Sequence, residues 1–138
     1  MLLTLSSDPP EALLAELLAG VRAHNAVHIG AANAKPLAVA ARDAQSRLCG
    51  GVSGRTVYRQ FLIDLLWVTE DARGCGLGRQ LMAAAEAEAR RRGCIAAQVD
   101  TLAFQAPGFY ERLGFETVGR VSGLPDSPER YFLLKRYL

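Results

Sequence analysis

The chain reads as an α/β fold: an α+β sandwich on a mixed, mostly antiparallel central sheet, with helices on both faces. Three observations lead there. Apolar runs of strand composition cluster first, then alternate with helical patterns, then cluster again. The run Phe61–Val68 leads through a glycine-rich turn into an Ala/Glu/Arg-rich segment ending at Arg92, a strand–turn–helix unit. No internal repeat and no linker-like stretch interrupts residues 1–138, which read as a single domain.

Composition removes several classes of function. Half of the 138 residues are hydrophobic (50%), enough for a real core. Sixteen basic and 14 acidic residues leave a formal charge of +2, so charge provides no ground for binding nucleic acid or a membrane surface. Cys49, Cys75 and Cys94 are widely spaced without a CxxC pair, as reduced thiols of a cytoplasmic protein would be. The N-terminus lacks the cationic and apolar regions of a signal peptide, and no apolar run reaches membrane-spanning length.

In chain order, Leu2–Leu5 reads as a short strand. Ser6-Ser7-Asp8-Pro9-Pro10 followed by Glu11 is a helix-start signal, and Leu13, Leu14, Leu17, Leu18 and Val21 give Glu11–Ala23 one apolar face. Gly20 weakens that helix towards its end. His24 and His28 have metal-ligand spacing, but HNAVH lacks the glutamate of HExxH and no acidic or thiol cluster follows, so no metal is expected. Leu37–Ala41 and Arg47–Val52 read as strands, the second broken at Gly50-Gly51, with a turn at Ser53-Gly54. Thr56–Val68 holds part of a strand, a turn near Arg59–Gln60 and a second strand. The nearly unbroken apolar stretch Leu62–Trp67 predicts a central strand covered on both faces, with Asp64 its single charge.

Gly78–Arg92 reads as a helix with Leu77, Leu81, Ala84, Ala85 and Ala89 on one face. Glu86/Arg90 and Glu88/Arg92 are i,i+4 pairs, and Arg90–Arg92 complement the dipole before Gly93 ends the helix. Ile95–Thr101 is a strand, Ala106–Leu113 a short helix closed by Gly114, Phe115–Val121 a strand, and residues 123–128 a loop. Tyr131–Leu138 is a final strand whose exposed edge offers a route to a homodimer.

The chemistry concentrates in Val68–Leu81, VTEDARGCGLGRQL. Glycines at a helix entrance let the backbone approach a ligand and aim free N–H groups at it, and the helix dipole favours an anion. A dinucleotide fingerprint needs a third glycine at relative position 6, but counting from Gly74 or Gly76 that place holds Arg79 or Leu81. A P-loop needs a terminal Gly-Lys-Ser/Thr, which is absent.

What remains, Arg73-x-x-Gly76-x-Gly78, resembles the acyl-CoA pyrophosphate loop of the GNAT N-acetyltransferase family, written Gln/Arg-x-x-Gly-x-Gly/Ala. A second stretch, Ala106-x-x-Phe109-Tyr110-x-x-x-Gly114-Phe115, lies 32 residues beyond Gly78 at its tyrosine and resembles that family's other signature. The resemblance covers nearly the whole chain and implies a sheet splayed between two parallel strands. It implies acetyl-CoA as cosubstrate, an amine as acceptor, and no metal. Acetyl-CoA would lie in the V between the strand ending at Val68 and Ile95–Thr101, its pantetheine arm on backbone groups of Leu66, Trp67 and Val68. Its pyrophosphate would meet the N–H groups of Arg73, Gly74, Cys75, Gly76, Leu77, Gly78 and Arg79, with the Arg73 side chain as counter-charge. Ala103 stands where the family often has an asparagine, leaving Thr101 or Gln105 to replace that contact.

By the same resemblance Tyr110 faces the sulfur and protonates the departing thiolate, and a backbone N–H near Val68 holds the oxyanion. Asp64 or Glu70 would take the proton of the acceptor ammonium through water; strand alternation puts Asp64 on the face of Leu66 and Val68. The acceptor wall would come from the first helix around His24–His28, the turn near Ser53–Gln60 and the loop Gly123–Glu129, with Asp126 and Glu129 hinting at a cationic acceptor. A non-catalytic acyl-CoA-binding module of the same fold is the alternative, and an α/β domain for another nucleotide a third.

Overall fold

The computed structural model describes residues 1–137. The chain forms two compact units, Met1–Ala32 and Asn33–Leu138. The first is the helix α1, Glu11–Ile29, with its lead-in. Its N-cap is Pro10, which offers no side-chain cap; Ser6 instead accepts the N–H of Asp8 at 3.2 Å. Leu2–Leu5 is irregular and exposed, not the strand expected, for it has no partner strand to satisfy its backbone. The helix runs past Ala23 to Ile29 and ends at Gly30, whose φ of 79° suits a C′ glycine. His24 and His28 therefore sit inside it, ring centroids 5.3 Å apart in a T-shaped arrangement.

The second unit is a six-stranded sheet with two helices. Its strands are β1 (Lys35–Arg42), β2 (Leu48–Val57), β3 (Gln60–Val68), β4 (Ala96–Leu102), β5 (Glu116–Val121) and β6 (Arg130–Arg136); α2 (Leu77–Arg91) joins β3 to β4 and α3 (Pro107–Arg112) joins β4 to β5. The spatial order is β1-β2-β3-β4-β6-β5. Every neighbouring pair is antiparallel except β3 and β4, so the sheet is mixed as expected. Because β6 lies between β4 and β5, its edges are occupied, and the exposed C-terminal strand expected for a homodimer does not exist. Leu138, the last residue expected in that strand, lies outside the described residues.

Gly50, Gly51, Ser53 and Gly54 do not break β2. It runs unbroken to Val57 and turns at Tyr58-Arg59, both with positive φ (50° and 61°), as a two-residue hairpin loop requires. Ser53-Gly54 is the site of a bulge: Ser53 faces Leu65 and Gly54 faces Ile63, leaving Asp64 as the extra residue of β3. Only glycine fits at 54, because a Cβ there would lie 2.2 Å from the Leu62 carbonyl oxygen.

The bulge shifts the phase of β3. Phe61 and Ile63 point into the core before it, and Leu66 and Val68 pack on the core after it. Asp64 therefore does not share their face, a correction to simple alternation. Leu65 (69% exposed) and Trp67 (50% exposed) point away from the core, so β3 is not covered on both faces.

One core lies between the sheet and the two helices. Leu81, Met82, Ala85 and Ala89 of α2 and Tyr110 of α3 meet Leu37, Val52, Phe61, Ile63, Val99 and Leu133. Met82, not Ala84, completes the buried face of α2. Burial of Phe61 and Met82, both at 0% exposure, contributes on the order of 2–3 kcal/mol each. Glu88 pairs with Arg92 at 2.8 Å as expected, whereas Glu86 turns inward to Lys135 Nζ (3.1 Å) and the Tyr137 hydroxyl (2.9 Å), and Arg90 stacks on the Tyr137 ring at 4.4 Å. A carboxylate only 7% exposed needs such partners.

Candidate active site

The site begins where β3 and β4 stop pairing. Their parallel register holds only for Gln60–Leu62 against Ala96–Gln98, and beyond it the strands diverge. A cavity of about 1200 Å3 occupies the gap and reaches the N-terminus of α2. Its walls come from β3 (Asp64 to Val68), β4 (Val99 to Thr101), the glycine loop and α3.

The β3 wall has two faces. Thr69 donates its N–H to the Cys49 carbonyl at 2.8 Å. Ladder alternation then turns the backbone of Trp67 towards Gly51 on β2, and the backbone groups of Leu66 and Val68 into the gap. The three residues expected to hold an extended ligand arm are thus not equivalent: Leu66 and the N–H of Val68 face the gap, and Trp67 is committed to the sheet.

At the mouth, Gly74 and Gly76 adopt φ of 80° and 84°, the left-handed conformation that lets this loop turn back into α2. Gly76 caps α2 without any side chain, so its first N–H groups are open to an anion. Gly78 serves differently: a Cβ there would stand 3.3 Å from the Phe109 ring, so its lack of a side chain lets α2 and α3 approach. Gly74, Gly76, Leu77, Gly78, Arg73 and Arg79 all line the cavity. Arg73 donates its Nε to the Val68 carbonyl at 3.2 Å, an anchor for the loop. Cys75, by contrast, is not part of the lining; its thiol donates to the Ala72 carbonyl at 2.8 Å.

Tyr110 is 7% exposed and borders the cavity, edge to face with Phe109 (5.2 Å) and Phe115 (5.6 Å). Burial, with the Asp100 carboxylate adding to it, pushes the Tyr110 hydroxyl up to about 12, so the phenol stays a proton donor near neutral pH. Thr101 and Gln105 also line the cavity and engage each other, hydroxyl to Oε1 at 3.3 Å, while Gln105 Oε1 accepts the Leu102 N–H at 2.8 Å.

The two carboxylates weighed as bases separate here. Asp64 lines the cavity from its outward face, in an exposed pair with Arg55 at 3.4 Å. Glu70 is exposed at the start of the turn Glu70–Ala72 and is not in the lining, although Ala72 of the same turn is. Residues 123–129 do not line the cavity either: Glu129 pairs with Arg120 at 3.7 Å, and Asp126 is exposed in a left-handed turn.

Sequence reasoning missed Asp100, Phe104 and Arg112, all in the lining. Asp100 was legible in principle, since it alternates with the inward Val99 and Thr101 of a readable strand. Among the described residues no three His, Cys, Asp or Glu side chains are grouped to hold a metal ion, and no helix is long and apolar enough to cross a membrane.

A forked pair of parallel strands, open backbone on one of them, a side-chain-free helix entrance and a buried phenol beside the fork match the extended arm, the pyrophosphate and the thioester of an acyl-CoA. They define an acyl-CoA-dependent acyltransferase. Comparison with known proteins agrees: residues 33–117 match the model of the acetyltransferase (GNAT) domain, and the chain belongs to that family. It is 43% identical over 106 residues to the blasticidin-S acetyltransferase of Streptomyces morookaense, covering 74% of this chain and 78% of that one. A crystal structure of an acetyltransferase from Agrobacterium tumefaciens superposes with a TM-score of 0.89 at 31% identity, over 99% of this chain and 100% of that chain. A streptothricin acetyltransferase from Bacillus anthracis, solved with acetyl coenzyme A, shares the fold at TM-score 0.65 and 19% identity, over 74% of this chain and 62% of that one. The protein is an acetyl-CoA-dependent N-acetyltransferase.

Proposed function

We propose that the enzyme acetylates a primary amine of a small molecule by direct attack on the thioester, without a covalent acetyl-enzyme. The observation that carries this reading is the Tyr110 hydroxyl, buried and protonated at the fork of β3 and β4. Acetyl-CoA supplies the activated acetyl group. Leu66 and Val68 align its arm through their backbone groups, and the Val68 N–H, which faces the gap, receives developing negative charge on the carbonyl oxygen. Tyr110 then donates its proton to the leaving sulfur. Asp64, the candidate base that reaches the cavity, accepts the ammonium proton through water. Holding both reactants in one cleft contributes much of the acceleration.

The likeness to an enzyme named for blasticidin S makes an antibiotic-like amine the first acceptor to test. The three free cysteines fit a cytoplasmic setting. The test is calorimetric titration of acetyl-CoA into wild type, Gly76→Glu and Tyr110→Phe, followed by thiol release with blasticidin S. The expected pattern is micromolar binding by wild type and Tyr110→Phe, none by Gly76→Glu, and turnover reduced about 100-fold in Tyr110→Phe. A folded wild type that binds no acetyl-CoA, or a Tyr110→Phe enzyme with full kcat, would refute the assignment.

A further inference from the structure

The carbonyl of Val68 has two claimants. Ladder alternation aims it, like the Val68 N–H, into the cleft. Arg73 already donates its Nε to it at 3.2 Å. An extended arm that pairs with Val68 as an added strand donates an amide N–H to the same oxygen. A carbonyl can accept two bonds, but the guanidinium that makes the first lies in the cleft lining beside Val68, where the arm must run.

Arg73 is only lightly held there. Its side chain is exposed, and among the described residues no carboxylate pairs with it, whereas Arg55, Arg92 and Arg130 each have one. Its backbone is fixed: the Arg73 N–H donates to the Glu70 carbonyl at 3.2 Å, and the Ala72 N–H to the Thr69 carbonyl at 3.1 Å. A Cβ on Gly74 or Gly76 would meet nothing within 4 Å, so the loop beside the guanidinium is open. The guanidinium can therefore leave the strand by rotation of its side chain alone. Three residues on, Gly76 opens α2 without a capping side chain, the place for an anion.

We infer that Arg73 selects the donor: it closes the Val68 carbonyl to the arm, and a pyrophosphate bound at the entrance of α2 draws it off. The inference rests on the acetyltransferase reading above. A guanidinium–phosphate pair is charged on both sides and two-pronged, whereas Nε on a carbonyl is one bond to a neutral acceptor, so the exchange runs towards the phosphate. Acetyl-CoA thus opens its own arm site. A thioester of bare pantetheine meets a carbonyl open only part of the time, and its apparent affinity falls by that fraction. Arg73 is then a positioning residue that favours CoA thioesters over pantetheine thioesters, beyond what the lost phosphate contacts explain. The two halves of the donor are coupled through one side chain, and such coupling is reciprocal.

Trp67, the single tryptophan of the chain, precedes Val68 and lines the cleft, so its fluorescence reports arm binding. S-acetylpantetheine and acetyl-CoA would be titrated into wild type, Arg73→Ala and Arg79→Ala, with thermal melts to certify folding. Arg79 lines the same cavity but, among the described residues, donates no hydrogen bond to β3. Arg73→Ala should weaken acetyl-CoA about tenfold and yet tighten S-acetylpantetheine at least about threefold, whereas Arg79→Ala should weaken acetyl-CoA and leave S-acetylpantetheine within about twofold. Saturating inorganic pyrophosphate should tighten S-acetylpantetheine at least about threefold on wild type and not on Arg73→Ala, and the wild-type half of that comparison needs no variant. S-acetylpantetheine affinity unchanged or lowered in a folded Arg73→Ala, or unmoved by pyrophosphate on wild type, overturns the inference. A wild type that binds no acetyl-CoA is a separate result: it refutes the acetyltransferase reading itself, and the inference with it.

Discussion

The loop glycines Gly76 and Gly78 should fail for different reasons when each is changed to alanine. Gly76 has φ of 84° and open space around a would-be Cβ, so the penalty is purely conformational, about 1–2 kcal/mol for an L-residue in the left-handed region. Gly78 lies in α2, where alanine gains up to about 1 kcal/mol in helix propensity. Against that, its Cβ would stand 3.3 Å from two atoms of the Phe109 ring and 3.9 Å from Val68, and overpacking costs about 1–3 kcal/mol. The net for Gly78→Ala runs from near zero to about 2 kcal/mol of destabilisation. A displaced Phe109 would intrude on the cavity, so acetyl-CoA affinity should fall even where stability does not. The assay is urea unfolding of both variants, alone and with Phe109→Leu, plus calorimetry. Gly78→Ala should couple to Phe109→Leu by about 1 kcal/mol, while Gly76→Ala should be additive with it and partly rescued by Gly76→Asn. Additivity of the Gly78 and Phe109 changes, or a Gly76→Ala protein as stable as wild type, would refute the reasoning.

Three further outcomes are expected. Glu86→Ala leaves the Lys135 ammonium and Tyr137 hydroxyl without their buried acceptor and should cost about 2–4 kcal/mol in urea unfolding, with Glu86→Gln costing less because its amide oxygen still accepts from Tyr137. Gly20→Ala, inside α1 with nothing within 4 Å, should stabilise that helix by about 0.5–1 kcal/mol, measured as increased helical signal on thermal melting. Tyr110, raised to about 12, stays neutral to higher pH in the folded than in the unfolded chain. Its contribution to stability is therefore complete below about pH 10 and lost as pH rises towards 12. Tyrosinate absorbance of wild type minus Tyr110→Phe should locate this late titration, and Asp100→Asn should move it down, since a negative neighbour is removed.

The parts of the site legible beforehand are those encoded over a few residues. The Arg73-x-x-Gly76-x-Gly78 motif runs from the turn after β3 into the first turn of α2, and the Ala106–Gly114 stretch contains α3, where local composition put them. The hairpin turn was placed one residue late, at Arg59–Gln60 and not Tyr58-Arg59, because neither Tyr nor Arg advertises positive φ. The bulge at Asp64 was not legible at all. It depends on a glycine ten residues earlier in a facing strand, and it inverts which side chains of β3 serve the core and which face outward.

Sequence alone pointed to the class of chemistry here, because a glycine-rich helix entrance is a local solution to binding an anion, and its spacing, with the Ala106–Phe115 stretch, resembles the two signatures of one family. The tertiary structure decided everything that depends on residues far apart in the chain. It chose Lys135 and Tyr137, not Arg90, as hydrogen-bond partners of Glu86, since burial demands the nearest donors in space. It enclosed β6 between β4 and β5 and so removed the free edge. It chose Asp64 over Glu70 as the carboxylate at the cleft and brought Asp100 in from the next strand. Periodicity tells which way a side chain points only while the register holds. Divergence of β3 from β4 is a register failure, produced by the sheet as a whole, and the candidate site lies there.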